Sequence, residues 1–347
     1  MKDYVKINFL KDKKQAHDEA ENLRRLIDAK LYPERFLMPL TLQFELTGKC
    51  NVHCKHCYNL SGENNLPDRM TPENWKKFAH YLVSNGGIFQ CVISGGEPLL
   101  LGGDLFDIMD ILHDDGTGFL VISNGLLMTS NKVKCFTKYR YKWFQISIDG
   151  ANSQRHDSFR QRQGSWEAAV KAVFMLVNSG IPVMIAHTVT PESLPEVDEM
   201  CNLAYQLGAS GIILGEVMPS GRSFLNPEIL LNHDQKNFLQ EKIIENMNKF
   251  AGRMMIQRSA GTKIQLIRAK DSPNTGAIIR PDGNIRLDCV APFVIGNVLD
   301  DDFYGVWNTK AHNVWQRPEI QEYIDSWEDE EEISHGLRNY FDSDIKL

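Results

Sequence analysis

Cys50-Asn51-Val52-His53-Cys54-Lys55-His56-Cys57 gathers three of the chain's seven cysteines at C-x3-C-x2-C spacing. At a cysteine frequency of about 0.02, seven starting points give this pattern by chance on the order of 0.003 times. Three thiolates on one short loop can hold three irons of a [4Fe–4S] cluster, because such clusters are bound by Cys thiolates. The fourth iron is then open to a ligand that is not protein. Two other chemistries fit the residues alone: a zinc site with His53 or His56 as fourth ligand, and disulfides. Nothing marks the chain as secreted, which weighs against the disulfides.

Working outward, Leu42-Gln43-Phe44-Glu45-Leu46 alternates as a strand and delivers Thr47-Gly48-Lys49 into the cysteine loop. Thr71-Pro72-Glu73-Asn74-Trp75 reads as a helix start, with Thr as N-cap and Pro at the first helical position. A second strand, Phe89–Ser94, ends in Gly95-Gly96-Glu97-Pro98, where two residues without side chains allow close backbone approach to a ligand. Strands at Phe119–Ser123, Trp143–Ile148, Pro182–Val189 and Gly211–Glu216 then alternate with helices near Leu105–Leu112, Lys132–Tyr139, Ser165–Asn178 and Leu194–Leu207. Six βα units predict a parallel sheet with right-handed crossovers, a partial (β/α)6 barrel open at one side. Chemistry gathers at the C-terminal ends of such strands. Asn124, Ser147, Asp149 and His187 stand there, each equally readable as a structural hydrogen-bonding group.

The order of C-x3-C-x2-C after a strand, then Gly95-Gly96-Glu97-Pro98, resembles the radical S-adenosylmethionine (SAM) enzymes. The resemblance runs from about Leu42 to Arg222. It implies that Cys50, Cys54 and Cys57 bind the cluster and that SAM chelates the open iron through its amino and carboxylate groups. An electron would cleave the sulfonium bond, and the 5′-deoxyadenosyl radical would take a hydrogen atom from substrate. It further implies that Gly95, Gly96, Glu97 and Pro98 hold the SAM amino group and that His56 lies near the adenine. Asn124, Ser147, Asp149 and His187 would line the SAM site or lumen. His156-Asp157-Ser158-Phe159-Arg160 resembles an H-D-x-x-R stretch that puts Arg160 near the SAM carboxylate or ribose, where a guanidinium fork suits. Pro219-Ser220-Gly221-Arg222 resembles the P-x-G-R of the peptide- and protein-modifying branch.

Past Arg222 the βα rhythm breaks. A helix from His233 to about Phe250 precedes a hairpin, Ala277–Leu287, turning at Pro281-Asp282-Gly283-Asn284. Cys289, Gly296-Asn297-Val298 and Trp307 follow. That order resembles the SPASM or twitch extension, an α+β appendage that carries auxiliary clusters in relatives. Here Arg258-Ser259-Ala260-Gly261 lacks the usual cysteine and none follows Cys289, so the extension is expected to keep its fold without a cluster. The implied organisation is an N-terminal helical segment (1–40), a barrel (41–222) and the extension (223–347). The first segment is expected to be helical from about Lys14 to Ala29 and to cover the barrel bottom. The acidic stretch Asp329–Glu332 reads as a solvated end.

At 347 residues the chain can bury a large α/β core, and 42% hydrophobic with 24% charged residues is ordinary for a globular protein. A net charge of −7 argues against a general nucleic-acid surface. No apolar run approaches a membrane span, and an Fe–S loop fits a reducing cytoplasm. The leading expectation is a single-cluster radical SAM enzyme acting on a ribosomal peptide or protein side chain, fed by a flavodoxin- or ferredoxin-type electron donor. Epimerisation, crosslinking and oxidative modification are all open to it. Cys91, Cys201 and Cys289 are candidate hydrogen donors for an epimerase, though each is equally a buried, inert thiol. The alternatives are tailoring of a small molecule (a sugar, cyclitol or amino acid) and a non-catalytic Fe–S or zinc-binding sensor.

Overall fold

The strand that feeds the cysteine loop, β1 (Thr41–Glu45), lies inside an eleven-stranded sheet. A computed structural model of the chain describes residue 18 and residues 21–62, 68–259, 262–270, 272–289, 291–329 and 344–347. Helix α1 covers residues 21–28 and is mostly exposed. The expected earlier start of that helix lies outside the described residues, apart from residue 18. After β1 come α2 (Pro72–Ser84), β2 (Gln90–Ser94), α3 (Gly103–Asp114), β3 (Gly118–Ser123), α4 (Ser130–Phe136) and β4 (Tyr141–Ser147). Helices α5 (Ser153–Arg160) and α6 (Ser165–Asn178) precede β5 (Val183–Val189), α7 (Val197–Gln206) and β6 (Gly211–Glu216). These six strands pair in sequence order and in parallel, as the βα alternation predicts.

Local chemistry explains the elements. Thr71 caps α2 by accepting from the Asn74 amide at 3.2 Å, with Pro72 behind it. Leu42 and Phe44 of β1 point outward, and Trp75 of α2 stacks 4.9 Å from Phe44. Gln43 and Glu45 therefore face inward, because a strand alternates its side chains. The helices close over the outer faces in one continuous hydrophobic core.

The sheet does not stop at Arg222. Helix α8 (His233–Lys249) returns the chain to β7 (Met255–Arg258), parallel to β6. Leu239 and Ile243 of α8 join Ile256 in the core, so this pair is a further βα unit. Four residues are too short to announce a strand by periodicity. Helix α9 (Thr262–Lys270) then leads to β8 (Gly276–Ile279), which pairs in parallel with the other side of β1. The hairpin partner β9 (Asn284–Arg286) and then β10 (Phe293–Asn297) add on antiparallel. Helix α10 (Phe303–Val306), the turn at Trp307 and α11 (Pro318–Asp329) cover this end, and β11 (Ile345–Lys346) completes the edge. Trp307 is fully buried and donates to the Phe36 carbonyl at 2.8 Å, so the residues just ahead of β1 pack on the extension.

Candidate active site and cluster loop

The cysteine loop has no regular secondary structure, and four separate elements hold its backbone. From the β2 exit, the Gly96 amide donates to Thr47 O at 2.6 Å and the Glu97 amide to Lys49 O at 2.9 Å. From α5, the carbonyls of Arg160 and Phe159 accept from the amides of His53 and Lys55 at 3.3 and 3.1 Å. From the β6 exit, the Arg222 amide donates to Cys57 O at 2.9 Å, while its side chain donates to Cys54 O and Ser61 O, each at 2.8 Å. Asp68 accepts from the Thr47 hydroxyl at 2.5 Å and the Gly48 amide at 2.7 Å.

Two glycines are required by this packing. A Cβ on Gly96 would stand 2.0 Å from Lys49 O, one residue before Cys50. The structure thus gives Gly96 a role in seating the cysteine loop, before any contact with a ligand amine. Gly221 has φ +63°, and a Cβ there would lie 2.4 Å from both Cys57 O and Tyr58 O. The P-x-G-R segment is therefore a clamp on the third cysteine.

All three thiols are free. Burial pushes Cys50 up to about 11 and Cys54 up to about 12, so both stay protonated near neutral pH without a compensating cation. Bound iron deprotonates such thiols and offsets that burial. Among the described residues, no group of three or more His, Cys, Asp or Glu side chains is arranged to hold a single metal ion. Three free thiols on one loop are a donor set for a polynuclear cluster, in which each thiolate meets its own iron. The donor set fits a [4Fe–4S] group with three protein ligands. Asn124 stands beside it: its Nδ2 donates to Asn51 Oδ1 at 2.7 Å and lies 3.9 Å from Cys50 Sγ.

Glu97 is wholly buried and accepts from the Leu99 amide, the Ser123 hydroxyl and the Asn124 amide at 3.1, 2.8 and 2.8 Å. Burial raises its carboxyl above the usual range, against those hydrogen bonds. Its work is to tie the β2 exit to the β3 exit. Pro98 opens a short 3-10 turn after it, and Gly95 has φ +136° with no room for a Cβ beside Thr47 O.

Next to the loop lies a buried ion pair. Nε and Nη2 of Arg160 each reach Asp149 Oδ2 at 2.7 Å, while Oδ1 accepts from the Thr188 amide at 2.8 Å. Burial opposes the Asp149 charge, but Arg160, followed by the neighbouring histidines, holds the carboxyl well below its ordinary value. The Asp149 amide donates to His156 Nδ1 at 2.9 Å, which fixes the proton of neutral His156 on Nε2. Nδ1 of His187 lies 3.2 Å from Ile148 O and so carries the proton there. Burial lowers both rings, His156 to about 4, and also lowers His56 to about 4. The His56 ring stacks flat on Phe159, centroids 4.7 Å apart and planes 5° apart.

The structure thus brings Cys50, Cys54, Cys57, His56, Gly95, Gly96, Glu97, Asn124, Asp149 and Arg160 to one rim. Ser147 is half-buried on the inner face of β4, opposite the outward Phe144 and Ile146. His187 shares the outward parity of Val183, Ile185 and Val189, so it backs Asp149 from the helical side rather than lining the lumen. Sequence reasoning passed over Asp68, Phe159 and Tyr58. The hydroxyl of Tyr58 donates to Glu45 at 2.6 Å, and none of the three carries a local motif signal.

A parallel partial barrel whose rim gathers three free thiols on one loop defines an α/β protein with a candidate iron–sulfur site. Residues 44–204 match the family model of the radical SAM superfamily, so the chain carries a radical SAM domain. Its cofactors are those of the family, a [4Fe–4S] cluster and SAM. Among curated proteins it is 30% identical over 293 residues to the antilisterial bacteriocin subtilosin biosynthesis protein AlbA of Bacillus subtilis, covering 81% of this chain and 62% of that one. It is 31% identical over 191 residues to an AdoMet-dependent heme synthase of Methanosarcina barkeri, covering 55% and 54%. The chain thus spans somewhat more than half the length of these two relatives. Among solved structures, Streptococcus suis SuiB bound to S-adenosylmethionine shares the fold at a TM-score of 0.64 and 15% identity, covering 88% and 72%.

Proposed function

We propose that this chain is a radical SAM enzyme with one cluster, on Cys50, Cys54 and Cys57, and that its substrate is a ribosomally made peptide or protein side chain. The observation that carries the catalytic reading is the loop itself: three free thiols, Cys54 buried and Cys50 and Cys57 half-buried, whose backbone is fastened from four sides. The peptide reading rests on the AlbA likeness, which extends over most of the chain, and SuiB is also known in a structure bound to precursor peptide SuiA.

The bound cluster and SAM would supply a carbon radical able to take a hydrogen atom from substrate. The chain's own residues bind, orient and exclude water. Backbone groups of Gly95–Pro98 would receive the SAM amino group, with Glu97 holding that turn against β3. Arg160 spends Nε and Nη2 on Asp149, so a SAM carboxylate or ribose hydroxyl would meet Nη1. His56, neutral and stacked, offers a flat edge for the adenine, and Asn124 and Ser147 line the approach. Inward residues of the strands, such as Val92, Leu120, Ile122 and Ile213, keep the lumen apolar and dry. Cys50 and Cys54 would become thiolates as bound iron displaces their protons to solvent. From β8 onward the extension acts as a wall beside β1, while α8 and β7 complete the barrel sheet. Reducing equivalents would come from a flavodoxin- or ferredoxin-type donor, in the cytoplasm. No described helix is long and apolar enough to cross a membrane.

The test is anaerobic reconstitution with iron and sulfide, then incubation with SAM, a low-potential reductant and a peptide encoded beside the gene. The expected result is 5′-deoxyadenosine together with a mass change on the peptide. No 5′-deoxyadenosine under any reductant would sink the enzyme reading. The second reading, a small-molecule substrate, is favoured by the heme synthase likeness. It wins if SAM cleavage couples only to a small molecule.

A further inference from the structure

Helix α5 holds the cysteine loop and the end of β4 through its side chains and its last carbonyls. His156 anchors the end of β4 through the Asp149 amide, and Arg160 holds the Asp149 carboxylate. Asp157 accepts from the Gly164 amide, the Ser165 hydroxyl and the Trp166 amide at 2.7, 2.8 and 2.8 Å, which fixes the start of α6. The helix ends at Gln161 in the left-handed conformation, φ +53°, and its last carbonyls are turned onto the amides on either side of Cys54. The Phe159 ring serves none of these ends, although the Phe159 carbonyl is one of the two that hold the loop. It is half-buried and is not among the side chains packed against the hydrophobic core. Its ring lies flat on His56 instead. A ring laid flat on one imidazole contributes to holding that imidazole in its plane.

We propose that Phe159 is a positioning residue: it fixes the plane of His56, so that α5 registers the cysteine loop and the Arg160 anion site as one rigid unit for SAM. The inference rests on the reading of this rim as the cluster and SAM site. A loop freed from Phe159 would keep its three thiols and its backbone hydrogen bonds, so the cluster would still assemble. What it would lose is the preset orientation of the flat group beside the ligand, and binding would then have to order it.

The experiment compares Phe159→Ala, Phe159→Leu and Phe159→Tyr with the parent protein, all reconstituted anaerobically. Iron content, SAM affinity and the electron paramagnetic resonance change on adding SAM to the reduced cluster are read for each. Phe159→Tyr should match the parent in all three. Phe159→Ala and Phe159→Leu should keep the iron but bind SAM about three- to tenfold more weakly, the range an aromatic stack is worth, with an altered SAM-dependent spectrum. Leu separates the ideas: it fills the space without the flat face, so a packing role predicts parent-like binding and would overturn the proposal. SAM affinity within twofold of the parent in both Ala and Leu variants overturns it as well. Parent protein that takes up no iron, or whose reduced cluster ignores SAM, instead defeats the underlying reading of the rim, and the proposal falls with it.

Discussion

The cysteine loop and the β8–β9–β10 extension flank the same strand, and they are stabilised by opposite means. The loop leaves the C-terminal end of β1 with three thiols, of which burial holds Cys50 and Cys54 protonated near neutral pH, so metal ligation there must displace their protons. The extension lies along the edge of β1 and has one thiol, Cys289, whose sulfur is 3.7 Å from Met218 Sδ. In place of metal it buries two guanidiniums, Arg280 and Arg286, each with no exposed side-chain surface. Arg280 grips Asp344 through both ends of its fork, at 3.0 and 2.5 Å, and reaches Asp282 at 2.6 Å. In the loop Cys50 and Cys54 are neutral thiols, while the extension is built around its own buried cations. The two are connected, because both arginines act on Glu45, which accepts from Tyr58 next to Cys57.

The sharpest way to break this contrast is to remove sulfur. Replacing Cys50, Cys54 and Cys57 together with Ala should take the reconstituted protein from about four irons to none, measured by iron and sulfide assay. Iron surviving in the triple variant would place a cluster elsewhere and end the single-cluster view. The matching cut in the extension is Arg280→Ala. It strands the Asp344 and Asp282 carboxylates in a buried site, and removing one partner of a buried pair typically costs about 3–5 kcal/mol. Chemical denaturation of the apo-protein should show a loss of that size. A change under about 1 kcal/mol would mean that water reaches the network freely, as at surface ion pairs.

Acid tests the loop side. His156 is neutral in the folded protein with its pKa lowered to about 4 by burial, against about 6.5 for an unfolded chain. The unfolded state therefore takes the proton first as pH falls. Stability is complete above about pH 6.5 and declines down to about pH 4, by on the order of 3 kcal/mol if His156 alone titrated. His156→Gln keeps an acceptor for the Asp149 amide and removes the titration. Urea unfolding across that range should show a shallower decline in the variant than in the parent. Equal slopes would mean that His156 is solvated or already charged.

How far these features could be read from the sequence depended on how local they were. The C-x3-C-x2-C spacing, the glycine pair and the strand alternation of β1 to β6 each sit within a few residues, and they located the rim and its barrel. The clamp of Gly221 on Cys57 O required a fold, because its partner lies far back in the chain and only the motif's likeness hinted at it. Strand β7 escaped because four residues give no period, so the sheet was expected to end one βα unit early. Phe159 escaped for a different reason: a lone aromatic in a polar helix reads as core, and only the stack on His56 shows otherwise. His187 was readable as polar but not as outward-facing, since parity needs the exact register of β5.

The smallest effect expected is the one that sharpens the contrast most. Cys289 is the thiol that occupies the extension where relatives of the twitch type gather cluster ligands. Burial raises it well above an ordinary thiol, and its contact is a thioether rather than a second thiol. Without partners it cannot hold a cluster, and with its proton held so firmly it makes a poor nucleophile. Cys289→Ser should therefore leave the iron count unchanged and cost little stability, since Ser keeps the shape with a slightly smaller, more polar atom. Turnover then divides the remaining possibilities. If the thiol only packs, product formation is retained. If it returns a hydrogen atom to a substrate radical, SAM cleavage persists while product of inverted configuration disappears, because a serine O–H is too strong to donate. Loss of iron in Cys289→Ser would contradict both, and would place a cluster ligand in the extension.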